Sequence, residues 1–155
     1  MRLLFRQRIF SWFDSYDIYD EDERTLFTVQ GRLSWGHRLE VSDASGNFLG
    51  TVQEAPLTLL PRFTFYLGEE PVGELRKEFT LLFPRYILDC NGWQVEGNLF
   101  GWDYTVTDEA GRLIMQASKE LFHWSDFYVI DVENDEDVLL CLMIVLSIDA
   151  ANCDN

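Results

Sequence analysis

A chain of 155 residues, 47% apolar and 15% aromatic, is long enough for one folded domain with a sizeable core and too rich in large apolar side chains to stay disordered. Its formal charge of −15 and pI near 4.3 exclude nucleic acid as the expected partner, and disfavour an anionic membrane surface unless the arginines gather locally. The three cysteines, Cys90, Cys141 and Cys153, are odd in number and widely spaced. They make neither a disulfide framework nor a zinc pattern, so a reducing, cytoplasmic setting is expected with no metal and no cofactor.

The chain opens Met1-Arg-Leu-Leu-Phe-Arg6, whose apolar stretch is too short for the roughly 7–15 residues of a secretory signal. Segments rich in Tyr, Phe, Val, Ile, Thr and Leu then alternate with Gly, Asp, Asn or Pro at short intervals, the pattern of strands and turns. Strands are expected near 3–8, 15–19, 25–31, 38–42, 48–53, 62–67, 71–77, 85–90, 93–97, 102–107, 113–118 and 127–132. Ser45-Gly46, Gly68-Glu-Glu-Pro71 and Asn91-Gly92 supply hairpin chemistry between them.

The segments repeat. Phe10-Ser-Trp12-Phe-Asp14-Ser-Tyr16 matches Phe122-His-Trp124-Ser-Asp126-Phe-Tyr128, and Leu57-Thr-Leu-Leu-Pro-Arg-Phe63 matches Phe79-Thr-Leu-Leu-Phe-Pro-Arg-Tyr86. Val29-Gln-Gly-Arg-Leu33 matches Val95-Glu-Gly-Asn-Leu99, and Val41-Ser-Asp-Ala-Ser-Gly46 matches Val106-Thr-Asp-Glu-Ala-Gly111. The last two pairs share one offset, which points to two halves, about 3–68 and 69–133, of six strands each.

The chain then changes character. Val138-Leu-Leu-Cys-Leu-Met-Ile-Val-Leu146 is apolar without a break, yet far shorter than the roughly 20 residues of a membrane span. Asn134 or Asp135 is positioned to cap a helix, Asp135, Glu136 and Asp137 suit its positive end, and no Gly or Pro follows, so a core helix is expected over about 134–149. An EF-hand reading from Asp131 fails, because its sixth and twelfth positions fall on Glu136 and Leu142. A helix with Val138, Leu139, Leu142, Met143, Val145 and Leu146 around its circumference must be surrounded by protein. A strand of about six residues and a helix of about 14 both span about 20 Å, so the expected fold is mainly β. It is a closed barrel of about 12 strands with the hydrophobic helix at its centre, one domain over 1–155.

The ordered set of Phe-Ser-Trp kinks, Val-x-Gly-x-Leu units, Asp-x-x-Gly hairpins and the ending Leu139-Leu-Cys-Leu-Met-Ile-Val-Leu-Ser-Ile-Asp149 resembles the LURP-one-related family over nearly the whole chain. That family shares the tubby C-terminal-like fold with tubby proteins and phospholipid scramblases, and the resemblance implies the same helix-filled barrel. It implies little about activity. Tubby proteins bind phosphoinositides through a basic patch, but this chain has only Lys77 and Lys119 as lysines. It also lacks the cysteine cluster of a palmitoylated scramblase.

Three functional readings follow. The first is a non-catalytic binding or scaffold module for an unknown ligand or protein. The second is a peripheral phospholipid- or phosphoinositide-binding protein by analogy with tubby. It requires Arg62, Arg76, Lys77 and Arg85, with Arg2, Arg6 and Arg8 nearby, to form one patch instead of pairing with surface carboxylates. The third is an enzyme, which requires a pocket containing His37 or His123 beside Cys90 or a carboxylate, with Asp14 and Asp126, at equivalent repeat positions, as a candidate carboxylate pair. The bland roles are structural histidines, an inert strand cysteine and turn-capping aspartates. Asp20-Glu-Asp-Glu23 reads as a solvated hairpin loop. Trp12, Trp35, Trp93, Trp102 and Trp124 read mostly as core, with one or two at a barrel mouth.

Overall fold

The computed structural model describes residues 1–6, 15–32, 34–122 and 125–153. Twelve strands precede one helix: β1 (Arg2–Phe5), β2 (Ser15–Tyr19), β3 (Thr25–Arg32), β4 (Arg38–Asp43), β5 (Phe48–Glu54), β6 (Arg62–Leu67), β7 (Glu70–Glu78), β8 (Arg85–Leu88), β9 (Trp93–Asn98), β10 (Asp103–Thr107), β11 (Leu113–Phe122) and β12 (Ser125–Val132). A 3-10 turn at Asp135–Asp137 then leads into α1 (Val138–Cys153). Every strand pairs antiparallel with its neighbours in sequence, and β1 pairs with β12, so the sheet closes and leaves no edge.

The period-2 pattern sets which face is inside. In β4, Leu39 and Val41 are buried while Arg38 and Glu40 point out, and in β8 Tyr86 and Leu88 point in. Registers such as Val29 opposite Val41 and Tyr86 opposite Val95 keep the apolar rows aligned around the circumference. Arg2 fastens the closing seam, with Nε and Nη2 donating to the Asp131 carboxylate at 2.8 and 3.1 Å and Nη1 to Glu120 at 2.9 Å. On the other side of β1 the seam with β2 has one residue pair, Leu4 with Tyr19, among the described residues.

The helix occupies the interior. Residues 141–151 are all buried, so no side of α1 meets water over about three turns. A single hydrophobic cluster joins it to inward residues of every strand, among them Phe5, Ile18, Val29, Phe63, Leu75, Val95, Tyr104, Met115 and Ile130. Strands ~4.8 Å apart and tilted ~40° give a twelve-stranded barrel a backbone radius of roughly 12 Å, near the ~10 Å at which packed layers sit. Eight strands would leave no room for a helix. The approach is closest at Gly50 of β5, where an added Cβ would lie 2.6 Å from the Met143 methyl and 2.2 Å from the Tyr66 carbonyl. Buried Ser147 donates its hydroxyl to the Met143 carbonyl at 2.8 Å, so its polar group is satisfied within the helix. At the far end, Asn152 Nδ2 donates to the Leu99 carbonyl at 2.9 Å.

Several boundaries differ from the sequence expectation. Asn134 has the extended backbone of a cap (φ −119°, ψ 133°), but its side chain makes no capping bond. The Asp137 N–H reaches the Asn134 carbonyl at 3.0 Å instead, closing the 3-10 turn. That tighter turn satisfies an orphan donor without a side chain and delays the regular helix to Val138. Cys90 lies in a turn beyond β8, not in a strand. Asp89 Oδ1 and Asn91 Oδ1 accept the N–H groups of Glu74 and Trp93, and these local bonds replace the ladder. Trp102 precedes β10 in a left-handed conformation (φ 58°). It is held by its Nε1 bond to the Val129 carbonyl at 3.3 Å and by edge contacts with Phe5, Tyr104 and Tyr128.

Two of the four sequence repeats lie six strands apart, relating β3 to β9 and the β4–β5 hairpin to β10–β11, and the division at residue 68 falls in the β6–β7 turn. The Leu57 and Phe79 segments instead precede β6 and β8, so they repeat a loop and not a half. Phe10, Trp12, Asp14, His123 and Trp124 lie outside the described residues.

Up-and-down topology sorts the connections into two ends. One end carries β2–β3, β4–β5, β6–β7, β8–β9, β10–β11 and the entry to α1, and it is acidic. Three of its hairpins share one geometry: Asp20, Asp43 and Asp108 each accept, on Oδ1, the N–H groups two and four residues on, all at 2.9 Å. The backbone N–H groups of Arg24 and Arg112 lead in holding the Asp20 and Asp108 carboxyls below the usual range, and the Asn47 side-chain amide, donating to Asp43 Oδ2 at 3.0 Å, leads at Asp43. The residue three after each Asp is left-handed: Gly46 (φ 86°), Gly111 (φ 83°) and Glu23 (φ 59°).

Leu142→Asp places a charge where every strand converges, and should abolish the cooperative thermal transition; a wild-type-like melt would refute the central position of the helix. Glu23→Gly relieves the one left-handed non-glycine among these three hairpins and should stabilise by about 0.5–1 kcal/mol in denaturant unfolding. Gly111→Ala, at a position with open space around it, should destabilise by about 1–2 kcal/mol.

Candidate binding site at one end of the barrel

The opposite end carries the β3–β4, β5–β6, β7–β8, β9–β10 and β11–β12 connections and the last turn of α1. Its surface is apolar. Trp35, Leu57, Leu59, Phe79, Leu81, Leu82, Phe83, Phe100 and Leu121 all stand here, each between 67% and 100% exposed. Among the described residues the remaining exposed large apolar side chains, Met1, Phe48 and Leu113, are at the acidic end and only 41–47% exposed. Monomeric proteins rarely gather such side chains in one place without a use for them.

The repeated loop motif builds most of this crown. In each copy the aromatic after Pro-Arg is an anchor: Phe63 is fully buried in the core, and Tyr86 is 2% exposed, its burial pushing its hydroxyl pKa up. The arginine beside it lies on the outer wall, tied to Glu74 in one copy and to Glu78 and Glu96 in the other. The Leu-Thr-Leu-Leu portion, unable to reach the core past a proline, projects outward. Leu57 combines complete exposure with a left-handed backbone (φ 57°), a conformation that glycine adopts without strain. At the same end, a cleft of about 760 Å3 opens between the β7–β8 and β9–β10 loops, lined by Leu82, Phe83, Pro84, Leu99 and Phe100 with Arg85 and Glu96.

The cations beneath the crown are engaged. Arg32 and Arg38, opposite each other on β3 and β4, share Glu40 at 3.3 and 3.5 Å. Arg62 and Arg76, opposite each other on β6 and β7, share Glu74 at the same distances, and Arg76 also reaches Asp89 at 3.7 Å. Lys119 pairs with Asp126 at 3.4 Å, and Arg6 with Glu23 at 3.3 Å. Among the described residues no carboxylate pairs with Lys77. Arg62, Arg76, Lys77 and Arg85 are therefore close neighbours on three strands, as a basic patch requires, but three of the four are compensated.

The residues named for catalysis are dispersed. His37 is at the crown end, its Nδ1 2.6 Å from Glu54 Oε2, whereas Cys90 is at the acidic end, where burial and Asp89 push its thiol pKa up. Cys141 is buried against the barrel. Asp126 faces Lys119 on the surface. Trp93 and Trp102 are core and Trp35 stands on the crown. Among the described residues there is no group of three metal-ligating side chains, and no helix is long and apolar enough to cross a membrane.

A closed barrel of twelve antiparallel strands wound around a single C-terminal helix, with its loops divided into an acidic and an apolar end, is the class of protein defined by these features. The model of the LURP-one-related family matches residues 1–149, and the chain belongs to that family. It is 33% identical over 150 residues to the uncharacterized protein YxjI of Bacillus subtilis (strain 168), covering 96% of this chain and 92% of that relative. An X-ray structure of an Arabidopsis thaliana protein, AT5G01750, shares the fold at a TM-score of 0.64 and 16% identity, over 94% of this chain and 88% of that one.

The anchor and the tip of one motif should respond oppositely to substitution. Phe63→Ala should cost about 3–5 kcal/mol in denaturant unfolding. Leu57→Gly should cost nothing or stabilise slightly, since it removes backbone strain and no packing. A large loss from Leu57→Gly would show that the tip supports the fold.

Proposed function

We propose that the protein is a non-catalytic docking module that attaches to a lipid surface through its apolar end. One observation carries this reading: the exposed Leu, Phe and Trp tips of separate loops converge at a single end of a rigid barrel. Apolar tips carried on separate loops, some of them outside the cleft, suit a fluid acyl region, which solvates each of them independently. The barrel supplies the rigidity that keeps them together without an ordering cost on docking. The absence of a spanning helix among the described residues is compatible with a peripheral mode, and the exposed free thiol of Cys90 fits a reducing, cytoplasmic face. His37 and Cys90 stand at opposite ends, and the carboxylate that His37 does meet, that of Glu54, also accepts the His37 N–H, while the Glu54 N–H donates to the His37 carbonyl, a tie between neighbouring strand ends that supports the non-catalytic half of the reading.

Each tip contributes roughly 1.5–3 kcal/mol on full burial, so a single loss should weaken partitioning by about tenfold or more. Replacing Leu57, Leu59, Leu81, Leu82 and Phe83 together by Ser should abolish flotation with phospholipid vesicles and leave the melting temperature in place. Vesicle binding that survives this variant would refute the reading. A crown-to-crown dimer that the same substitutions dissociate would assign this end to self-association instead.

A further inference from the structure

We infer that the surface this end selects is one without net charge, such as a zwitterionic bilayer, and that anionic headgroups weaken docking. The inference rests on the docking reading above and adds the chemistry of the lipid. A basic patch attracts an anionic surface only where its cations are not already neutralised at home. Here Arg62 and Arg76 are balanced by Glu74 and Asp89 and Arg85 by Glu78 and Glu96, while Arg32 and Arg38 share Glu40 and keep one formal positive charge between them. Lys77 alone, among these residues of the described chain, lacks such a partner. Against it stands a formal charge of −15, with the acidic hairpins and the 133–137 segment at the opposite end. An apolar end facing a bilayer points that acidic pole away from it, the orientation of least repulsion, but the net sign still opposes an anionic surface. Insertion of apolar tips is not screened by salt, whereas the repulsion is, over a Debye length of about 10 Å at 0.1 M. The two contributions can therefore be separated by lipid charge and ionic strength.

The test is co-sedimentation of the full chain with vesicles of phosphatidylcholine alone or phosphatidylcholine mixed with phosphatidylserine, at about 20 mM and about 500 mM sodium chloride. At low salt the partition coefficient on the neutral vesicles should exceed that on the mixed vesicles by about threefold or more, and the gap should close at high salt as the repulsion is screened. Lys77→Gln should leave neutral-vesicle binding unchanged. Equal or tighter binding to the serine-containing vesicles at low salt, or binding lost in Lys77→Gln, would overturn the inference and leave lipid docking standing. No binding to either vesicle would overturn the docking reading itself.

Discussion

The helix α1 has no side that tolerates water, and the rest of the molecule is arranged to meet that constraint. Eleven consecutive buried residues, 141–151, need protein in every direction, and one open sheet covers only one side. A closed barrel covers all of them, and twelve strands is about the number that gives a helix room. The inward rows of β1 to β12, the missing side chain at Gly50 and the self-satisfied hydroxyl of Ser147 all accommodate the same cylinder. Burial of about ten apolar side chains of α1 is worth on the order of 15–30 kcal/mol before chain entropy is set against it, which makes the helix a main source of cohesion.

With much of the core supplied by a helix that follows all the strands, most loop residues outside the β9–β10 connection are left on the surface, and the two ends diverge. The acidic end repeats one aspartate-centred hairpin three times, a self-contained turn whose side-chain bonds fix it locally. The apolar end repeats a different device, an aromatic anchor, a clamped arginine and a projecting leucine run. The electrostatics differ accordingly. The wall below the apolar end carries five arginines set against Glu40, Glu74, Glu78, Glu96 and Asp89, leaving an end that is greasy and close to neutral. This is unlike the cationic platform that the resemblance to tubby brings to mind.

Much of the architecture was legible in the sequence because it rests on local patterns. Alternation in 38–43 and 62–67 gives strands, Asp43 to Gly46 and Asp108 to Gly111 give hairpins, and an apolar run too short to span a membrane gives a buried rod. The boundaries that differed are places where side-chain bonds outbid strand preference: Asp89, reaching Glu74 on β7, and Asn91, bonding locally to Trp93, end β8 early, and Trp102 is held in a left-handed turn by partners on β1 and β12. The candidate site was visible only as a repetition. Leu57 to Leu60 and Phe79 to Leu82 have the composition of buried strand, and nothing in the letters distinguishes a leucine that points inward from one that points out. The proline before Arg62 and before Arg85 is the one local sign that each run cannot continue into the sheet.

The position of α1 in the chain has a bearing on biogenesis. The polypeptide emerges from the ribosome with its twelve strands first and its filling last, and β1 cannot find β12 until nearly all of it has been made. The inner faces of the sheet are wet throughout translation, so assembly is a post-translational, whole-chain event with little to gain from stepwise maturation. Until α1 follows, the inward apolar rows of the strands have nothing to cover them, which is the condition under which unpaired strands aggregate.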